Sequence, residues 1–584
     1  MARSGEPLPG PQTAVAKDEE KEEEQASSAM PEISKPAGAT RAISSNWLSG
    51  LSFSGIFLVT AAANLAYSLR EGRLAGVPVY DDVRYLSDAL DRVMFAPGSG
   101  LWSVLATFWS NPPHAPLTTL TAAAGFWALG PHAVAAYLAN LWVFALYIAV
   151  CGRLSRPVGG LLARSLFVGV MAYVPAAHAM IAEFRPDLAA GLLFAVALRL
   201  LARTNFRDAS LKEMGALAIV AVAATVMKLS GVVLVIPALG IGLVIQVAAQ
   251  YRASDRDRGL LLRHALGTMA FYLLLLAPFA IVFGPATVRY IAGTLFTDAD
   301  IWATPGGWWF HLTYHLVGPG ARQALGAFLF PVIGLVAVDL LLCLKSRNWR
   351  RQSPLPFYAT LLVIYLAMAV SGEKTTYQGS YFYFPILLAA ASALVRLCVA
   401  ARTQWPTAAP RIVQAAGTGA LAACIVFLPL GSSYFGRPAD RPEADRLIGG
   451  VTNAAFDVAK QDWQGGKACQ DRVPTIMTLD YDPLAADALQ MALAAGGLRV
   501  EAVSVYFPRS LAEALRWVDE VDLVAMADPA SGHENPWLLI GNYAPQIFRF
   551  LAAKPGMRKI AVGTYENRPY WLFANTDCSA GGPK

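Results

Sequence analysis

Residues 213–250 read EMGALAIVAVAATVMKLSGVVLVIPALGIGLVIQVAAQ, and Glu213 and Lys228 are the only charged side chains in the run. At 1.5 Å per residue, one helix of this length would be almost twice the roughly 30 Å of a bilayer's hydrocarbon core. The break comes at Lys228-Leu229-Ser230-Gly231, so the stretch is read as two membrane helices joined by a tight turn. Further apolar segments lie near 47–67, 132–152, 161–179, 188–203, 264–284, 323–344, 355–371, 381–399 and 411–430. Together they predict about eleven crossings and a polytopic α-helical membrane protein.

Composition agrees. Over 584 residues, 55% are hydrophobic and 15% charged, far from the roughly one quarter charged residues of soluble domains. The formal net charge of +6 is spread in short clusters rather than along one stripe, which excludes nucleic acid as a partner. Alternate gaps between the apolar segments are basic: Arg153, Arg156 and Arg164; Arg199, Arg203, Arg207 and Lys212; Arg252 to Arg263; Lys345 to Arg351; Arg396 to Arg411. The positive-inside rule assigns these to the cytoplasm. The other gaps, 68–131, 179–187, 285–322 and 371–380, then face outward.

Residues 1–45 are polar, with an acidic run at 18–24, and are expected to form a disordered cytoplasmic tail. The segment 46–430 forms the membrane domain, with 68–131 as its first outer loop. From 431 to 584 the composition becomes that of a soluble domain. Short β-rich runs (Thr475–Leu479, Val500–Val505, Leu523–Ala527, Lys559–Thr564, Tyr570–Ala574) alternate with helical patterns, which predicts a C-terminal α/β domain with a partly parallel sheet on the outer side. If that side is extracytoplasmic, Cys469 and Cys578 can pair as a disulfide.

The outward gaps hold the residues that need explaining. The first contains Tyr80-Asp81-Asp82-Val83-Arg84-Tyr85, amphipathic segments suited to the membrane surface, and Asn111-Pro112-Pro113-His114-Ala115-Pro116-Leu117. The second contains Glu183-Phe184-Arg185-Pro186-Asp187. Ionisable groups at the end of a membrane helix are costly unless paired or functional. Arg185 can simply bridge to Glu183 or Asp187, and Lys228 and Lys374, each taken alone, read as interfacial snorkelling residues. His311 and His315 have helical i,i+4 spacing, but without the glutamate of a zinc motif they read as part of an interfacial aromatic helix. Taken together, two carboxylate clusters and several cations lie on one side of the membrane. Transfer from a lipid-linked phosphate requires that set: a carboxylate to accept the proton of an attacking hydroxyl and cations to stabilise the leaving phosphate.

At these residues the sequence resembles the GT-C class of polytopic glycosyltransferases, most closely protein O-mannosyltransferases and lipid A aminoarabinose transferases. Asp81-Asp82-Val83-Arg84-Tyr85 is similar to the family's acidic pair followed by Arg-Tyr. Asn111 to Leu117 corresponds to a Lys-Pro-Pro-Leu-like element without its lysine, and Arg185-Pro186-Asp187 to an Asp beside a Pro. Met227 to Gly231 and Lys374 to Pro385 match later elements. The resemblance implies sugar transfer from a polyprenyl-phosphate donor to a lipid, glycan or protein hydroxyl at the outer face of the plasma (inner) membrane, with inversion. Asp81 would be the general base or orient the acceptor, Asp187 a second acid, and Asp82 and Glu183 further acids. Arg84, Lys228 and Lys374 would hold the phosphate, Tyr85 would line the pocket, and His114 would replace the absent lysine, with Arg185 and Tyr377 beside them. Some members bind a divalent cation near this site, but no ligand set in this sequence compels one. The alternative is a polytopic transporter or lipid flippase, for which mid-membrane charges and repeated halves would be expected.

Overall fold

The computed structural model describes residues 39–428 and 441–576, apart from 77, 79–80, 99, 254–256, 298, 346–353, 464–471, 480–483, 505 and 532–537. The acidic run at 18–24, Tyr80, Cys469 and Cys578 lie outside the described residues, as does the side chain of Asp81. The chain forms two compact units, residues 1–51 and 52–584. What is described of the first is helical, from Ala39. One helix, Ala39–Arg70, begins in the first unit and ends in the second.

Each of the eleven apolar segments falls on helix. Helix α1 (Ala39–Arg70) leads into three helices of the segment 68–131, α2 (Asp81–Phe95), α3 (Leu101–Ser110) and α4 (Pro116–Leu129). There follow α5 (Ala133–Leu154), the pair α6 (Leu161–Ala172) and α7 (Pro175–Ala182), α8 (Pro186–Arg203), α9 (Leu211–Met227), α10 (Val232–Ala253) and α11 (Arg258–Ala292). The bundle ends with α12 (Leu329–Lys345), α13 (Leu355–Val370), α14 (Ser380–Gln404) and α15 (Ala409–Phe427). Among the described residues, seven helices are long and apolar enough to cross a membrane, or eight if α6 and α7, bent by 68°, count as one span. The remaining three expected crossings fall on α8, which carries Asp187, Arg199 and Arg203, and on α9 and α13, of 17 and 16 residues. Their charges and short lengths, not a lack of apolar character, separate them from the seven.

Lipid is as apolar as leucine, so helices in a membrane associate through close packing of small residues. That is seen at Gly191 of α8, where a Cβ would stand 2.6 Å from the Ser380 carbonyl of α14, and at Gly125 of α4, where it would stand 2.5 Å from the Ala135 carbonyl. The most apolar window of α14 is 61% buried and that of α15 only 6%, so α14 is a central helix and α15 a peripheral one. Around α14, the side chains of Phe144, Met180, Phe194 and Phe384 form the core.

The C-terminal residues form the expected α/β layer. Helix α16 (Arg441–Val458) precedes strands β1 (Thr475–Thr478), β2 (Glu501–Val503), β3 (Leu523–Ala527), β4 (Met557–Tyr565) and β5 (Arg568–Asn575), in the order β2-β1-β3-β5-β4. The first three strands are parallel and the last two antiparallel. Glu566 and Asn567, both at positive φ, make the two-residue turn between β4 and β5, the backbone twist that tight hairpins favour. Helices α17 (Ala486–Ala495), α18 (Leu511–Asp519) and α19 (Ala544–Ala553) complete the layer. Ala485, Ala488, Met491 and Ala494 share one buried cluster with Val83, Leu86 and Leu90 of α2. The amphipathic face of α2, expected at the membrane surface, thus also seats the C-terminal layer.

Candidate active site

Asp82, the second residue of α2, is fully buried. One carboxylate oxygen lies 2.8 Å from Arg185 Nε. The other accepts from the Tyr137 hydroxyl and the Phe184 N–H, both at 2.9 Å, and stands 3.9 Å from Arg73 Nε. Glu183, also fully buried, faces the charge of Arg73 and, like Arg185, lies near Tyr377. The Arg185 guanidinium lies 3.9 Å above the Tyr377 ring, and burial holds the Tyr377 phenol well above its ordinary pKa, so it stays neutral. Two carboxylates and two arginines therefore balance in a buried knot that joins the segments 68–131, 179–187 and 371–380. Balance is what makes such burial tolerable, because removing one partner leaves an uncompensated charge.

Beside this knot stands a second pair. Asp187, in the first turn of α8, accepts from Lys228 Nζ through both oxygens, at 2.9 and 3.0 Å. The lysine occupies the extended break between α9 and α10. That break is held by the Thr118 hydroxyl of α4, which donates to the Met227 carbonyl at 3.0 Å. The Lys228 side chain is 21% exposed and that of Asp187 only 5%, so the lysine is the less covered member of the pair. Tyr85 and Tyr381 border the pair.

Next to Lys228, between the first outer loop and the C-terminal layer, is a cavity of about 370 Å³ lined by Arg84, Tyr85, His114, Leu229, Asp487 and Arg499, among others. Arg92 shapes one wall: it pairs with Asp88 at 2.8 Å and donates to the Asn111 carbonyl at 2.7 Å, fixing the loop that carries Pro112, Pro113 and His114. The His114 ring packs 4.5 Å from Tyr290, near the end of α11, which runs 35 residues and therefore extends well past the expected 264–284. Arg499 meets Asp91 of α2 at 3.2 Å and closes the roof.

Of the residues singled out from sequence, Arg84, Tyr85 and His114 line the cavity, and Lys228 adjoins it through Leu229. Asp82, Glu183, Arg185 and Tyr377 form the knot, and Asp187 holds Lys228. Lys374 is not brought to the cavity. It is buried, and its ammonium donates to the carbonyls of Met368, Ala369 and Ser371, capping the C-terminus of α13. Asp81 opens α2, directly before Asp82. His315 lies past the end of the short helix Trp308–Thr313 and bonds to the Tyr383 hydroxyl at 2.9 Å. Arg73, Tyr137, Asp88 and Arg92 were not anticipated. The i,i+4 spacing of Asp88 and Arg92 on an amphipathic helix was the available signal for that pair, whereas Arg73 and Tyr137 carried none.

For the divalent cation implied by the resemblance, no three His, Cys, Asp or Glu side chains come together among the described residues to hold a metal ion. Asp82 and Glu183 are already neutralised by arginines, so the donor set does not fit, and no step below is routed through a metal.

No family model and no curated protein matches the chain. Solved structures do. ArnT from Cupriavidus metallidurans in the apo state aligns over 91% of this chain and 99% of its own, at 16% identity and a TM-score of 0.51. ArnT bound to undecaprenyl phosphate aligns over 94% and 100%, again at 16% identity and 0.51. The archaeal oligosaccharyltransferase AglB from Archaeoglobus fulgidus, in complex with an inhibitory peptide and a dolichol-phosphate, aligns over 92% and 75%, at 12% identity and a TM-score of 0.49. The chain is a mostly helical protein with seven or eight helices, among the described residues, long and apolar enough to cross a membrane and with a small C-terminal sheet domain, and it shares its fold with ArnT.

Proposed function

We propose that this protein is a membrane glycosyltransferase that moves a sugar from a polyprenyl-phosphate donor to an acceptor hydroxyl at the outer face of the membrane. The observation that carries the reading is the Asp187–Lys228 pair opening beside a cavity lined by Arg84, Tyr85 and His114. A lysine ammonium paired with one carboxylate and a nearby guanidinium suit a phosphate that arrives on a lipid tail. The fold shared with ArnT, a protein solved with undecaprenyl phosphate bound, supports the same class of donor.

The chemistry is a single displacement. An acceptor hydroxyl gives its proton to a carboxylate, assigned to Asp81 at the opening of α2. Its oxygen bonds to the anomeric carbon from the face opposite the phosphate, and the bond from that carbon to the phosphate oxygen breaks, inverting the centre. The polyprenyl phosphate departs with the electron pair, and Arg84 and Lys228 stabilise its charge. Asp187 orients Lys228, while the Asp82 knot holds α2 and the loop 183–187 in register. The C-terminal layer roofs the cavity with Asp487 and Arg499 and takes part in choosing the acceptor.

The test is transfer in liposomes from a polyprenyl-phosphate sugar to envelope lipids, glycans and proteins, read by mass spectrometry. Lys228→Gln should lower turnover by about 10²- to 10³-fold, the scale of a lost electrostatic contact to a developing anion, and Asp81→Asn should abolish it with folding intact. Full turnover by Lys228→Gln would refute the assignment. A directional flux of lipid without any glycosyl product would favour a flippase instead.

A further inference from the structure

A second, larger cavity of about 850 Å³ lies at the other end of the bundle and has no part in the reaction above. Helix α8 runs between the two sites. Asp187 starts it and Arg203 ends it, sixteen residues and thus about 24 Å away. Five arginines line this cavity: Arg153, Arg156, Arg199, Arg203 and Arg396.

Their charges are poorly balanced. Arg396 pairs with the buried Asp339, its Nε standing 2.9 Å from a carboxylate oxygen, and Tyr358 donates to the same carboxylate. Arg199 has only the Ser392 hydroxyl, at 2.5 Å, and faces the like charges of Arg203 and Arg396. Among the described residues no carboxylate pairs with Arg153, Arg156, Arg199 or Arg203. Arg153, Arg156 and Arg203 are exposed and Arg199 is half-buried, so four guanidinium groups without a carboxylate partner concentrate positive charge at the mouth of one cavity. Apart from Tyr358 and Ser392, the rest of the wall is apolar, with Leu154, Phe357, Leu388, Val395 and Val399 among its residues. A cluster of forked cations above an apolar wall matches a phosphate head carried on a hydrocarbon chain. A purely solvated basic loop would need neither the enclosure nor the apolar wall.

We infer that this arginine-lined cavity is a binding site for an anionic phospholipid of the leaflet opposite the active site, with the phosphate held by Arg156, Arg199 and Arg203 and an acyl chain against Phe357 and Val395. By the positive-inside rule that leaflet is cytoplasmic. The site stands whether or not the outer cavity transfers sugar.

The experiment uses the full chain in phosphatidylcholine nanodiscs doped with phosphatidylglycerol, with bound lipid read by native mass spectrometry. Phosphatidylglycerol should be retained at least tenfold over phosphatidylcholine. The double variant Arg156→Gln/Arg203→Gln, at two exposed positions, should lose that preference while keeping the wild-type melting temperature in phosphatidylcholine alone. Arg199→Lys, which keeps the charge but not the fork, should retain an intermediate amount. Equal retention of the two lipids, or full retention by the double variant, overturns the proposal. Inorganic phosphate distinguishes a free anion from a lipid head: if phosphate alone raises the melting temperature as much as phosphatidylglycerol and displaces it, the lipid assignment fails, and if it does neither, the lipid assignment holds.

Discussion

Replacing Asp82 by Asn removes one charge from the knot and nothing from its volume. The amide oxygen can still accept from Tyr137 and from the Phe184 N–H, as the carboxylate does at 2.9 Å. Its NH₂ then points at Arg185 Nε, which now lies 2.8 Å from an oxygen, so two donors oppose each other. Arg73 and Arg185, each about 3% exposed as side chains, then face one buried carboxylate fewer, with Glu183 still charged. Breaking a buried ion pair from one side costs about 3–5 kcal/mol. A polytopic chain does not unfold in two states, so the readout is the order of thermal midpoints in detergent, followed by the fluorescence of its 14 tryptophans. Asp82→Asn and Arg185→Gln should each lower the midpoint clearly. The double variant, in which Arg73 and Glu183 again balance, should lose less of the midpoint than the two single losses added together. Strict additivity, or an unchanged midpoint in Asp82→Asn, would refute the knot.

Three further outcomes follow from the same geometry. Burial, reinforced by the Lys374 charge, pushes His315 down to about 3 from 6.5; below pH 6.5 the unfolded chain takes up a proton that the folded one refuses, so stability should fall as pH drops from about 6.5 toward 3, and His315→Gln should flatten that slope in a pH series of melting temperatures. At the seat of the C-terminal layer, Arg499→Ala removes a half-exposed pair with Asp91 and should cost under about 1 kcal/mol, whereas Ala488→Trp, at a fully buried contact with α2, should cost about 1–3 kcal/mol and raise hydrogen exchange in α2. Tyr377→Phe, which keeps the ring under Arg185, should melt with the wild type, and Tyr377→Ala should lose about 2 kcal/mol of desolvated cation–π contact, seen as a lower midpoint.

Much of the fold was legible because it rests on periodicity and composition. Each apolar stretch became helix, and the break at Lys228 became the extended link between α9 and α10. All five β-rich runs from Thr475 to Ala574 became strands. Less was legible where tertiary contact decides. The length of α11 past residue 284 follows from its packing on the outer loop, where Tyr290 meets His114, and two prolines within it gave no warning of continuity. Helix α16 begins in a polar stretch whose apolar face, Leu447, Ile448 and Val451, acquires meaning only against the sheet. At the site, order along the chain brought the loops at Asp82 and Arg185 together in the reading, and the 2.8 Å contact matches that. It could not distribute the charges. Arg73 lies outside any motif, yet it completes the knot, and Lys374 lies inside one, yet its ammonium caps its own preceding helix.

The central claim is that the two outer loops and the α9–α10 break converge on the phosphate of a lipid. An experimental map of the full chain with polyprenyl monophosphate bound tests it without depending on which sugar or acceptor is used. The phosphate should lie within hydrogen-bond distance of Lys228 Nζ and Arg84, its tail leaving into the bilayer beside the break. A phosphate seated away from both residues, with the Asp187–Lys228 pair closed and untouched, would contradict it.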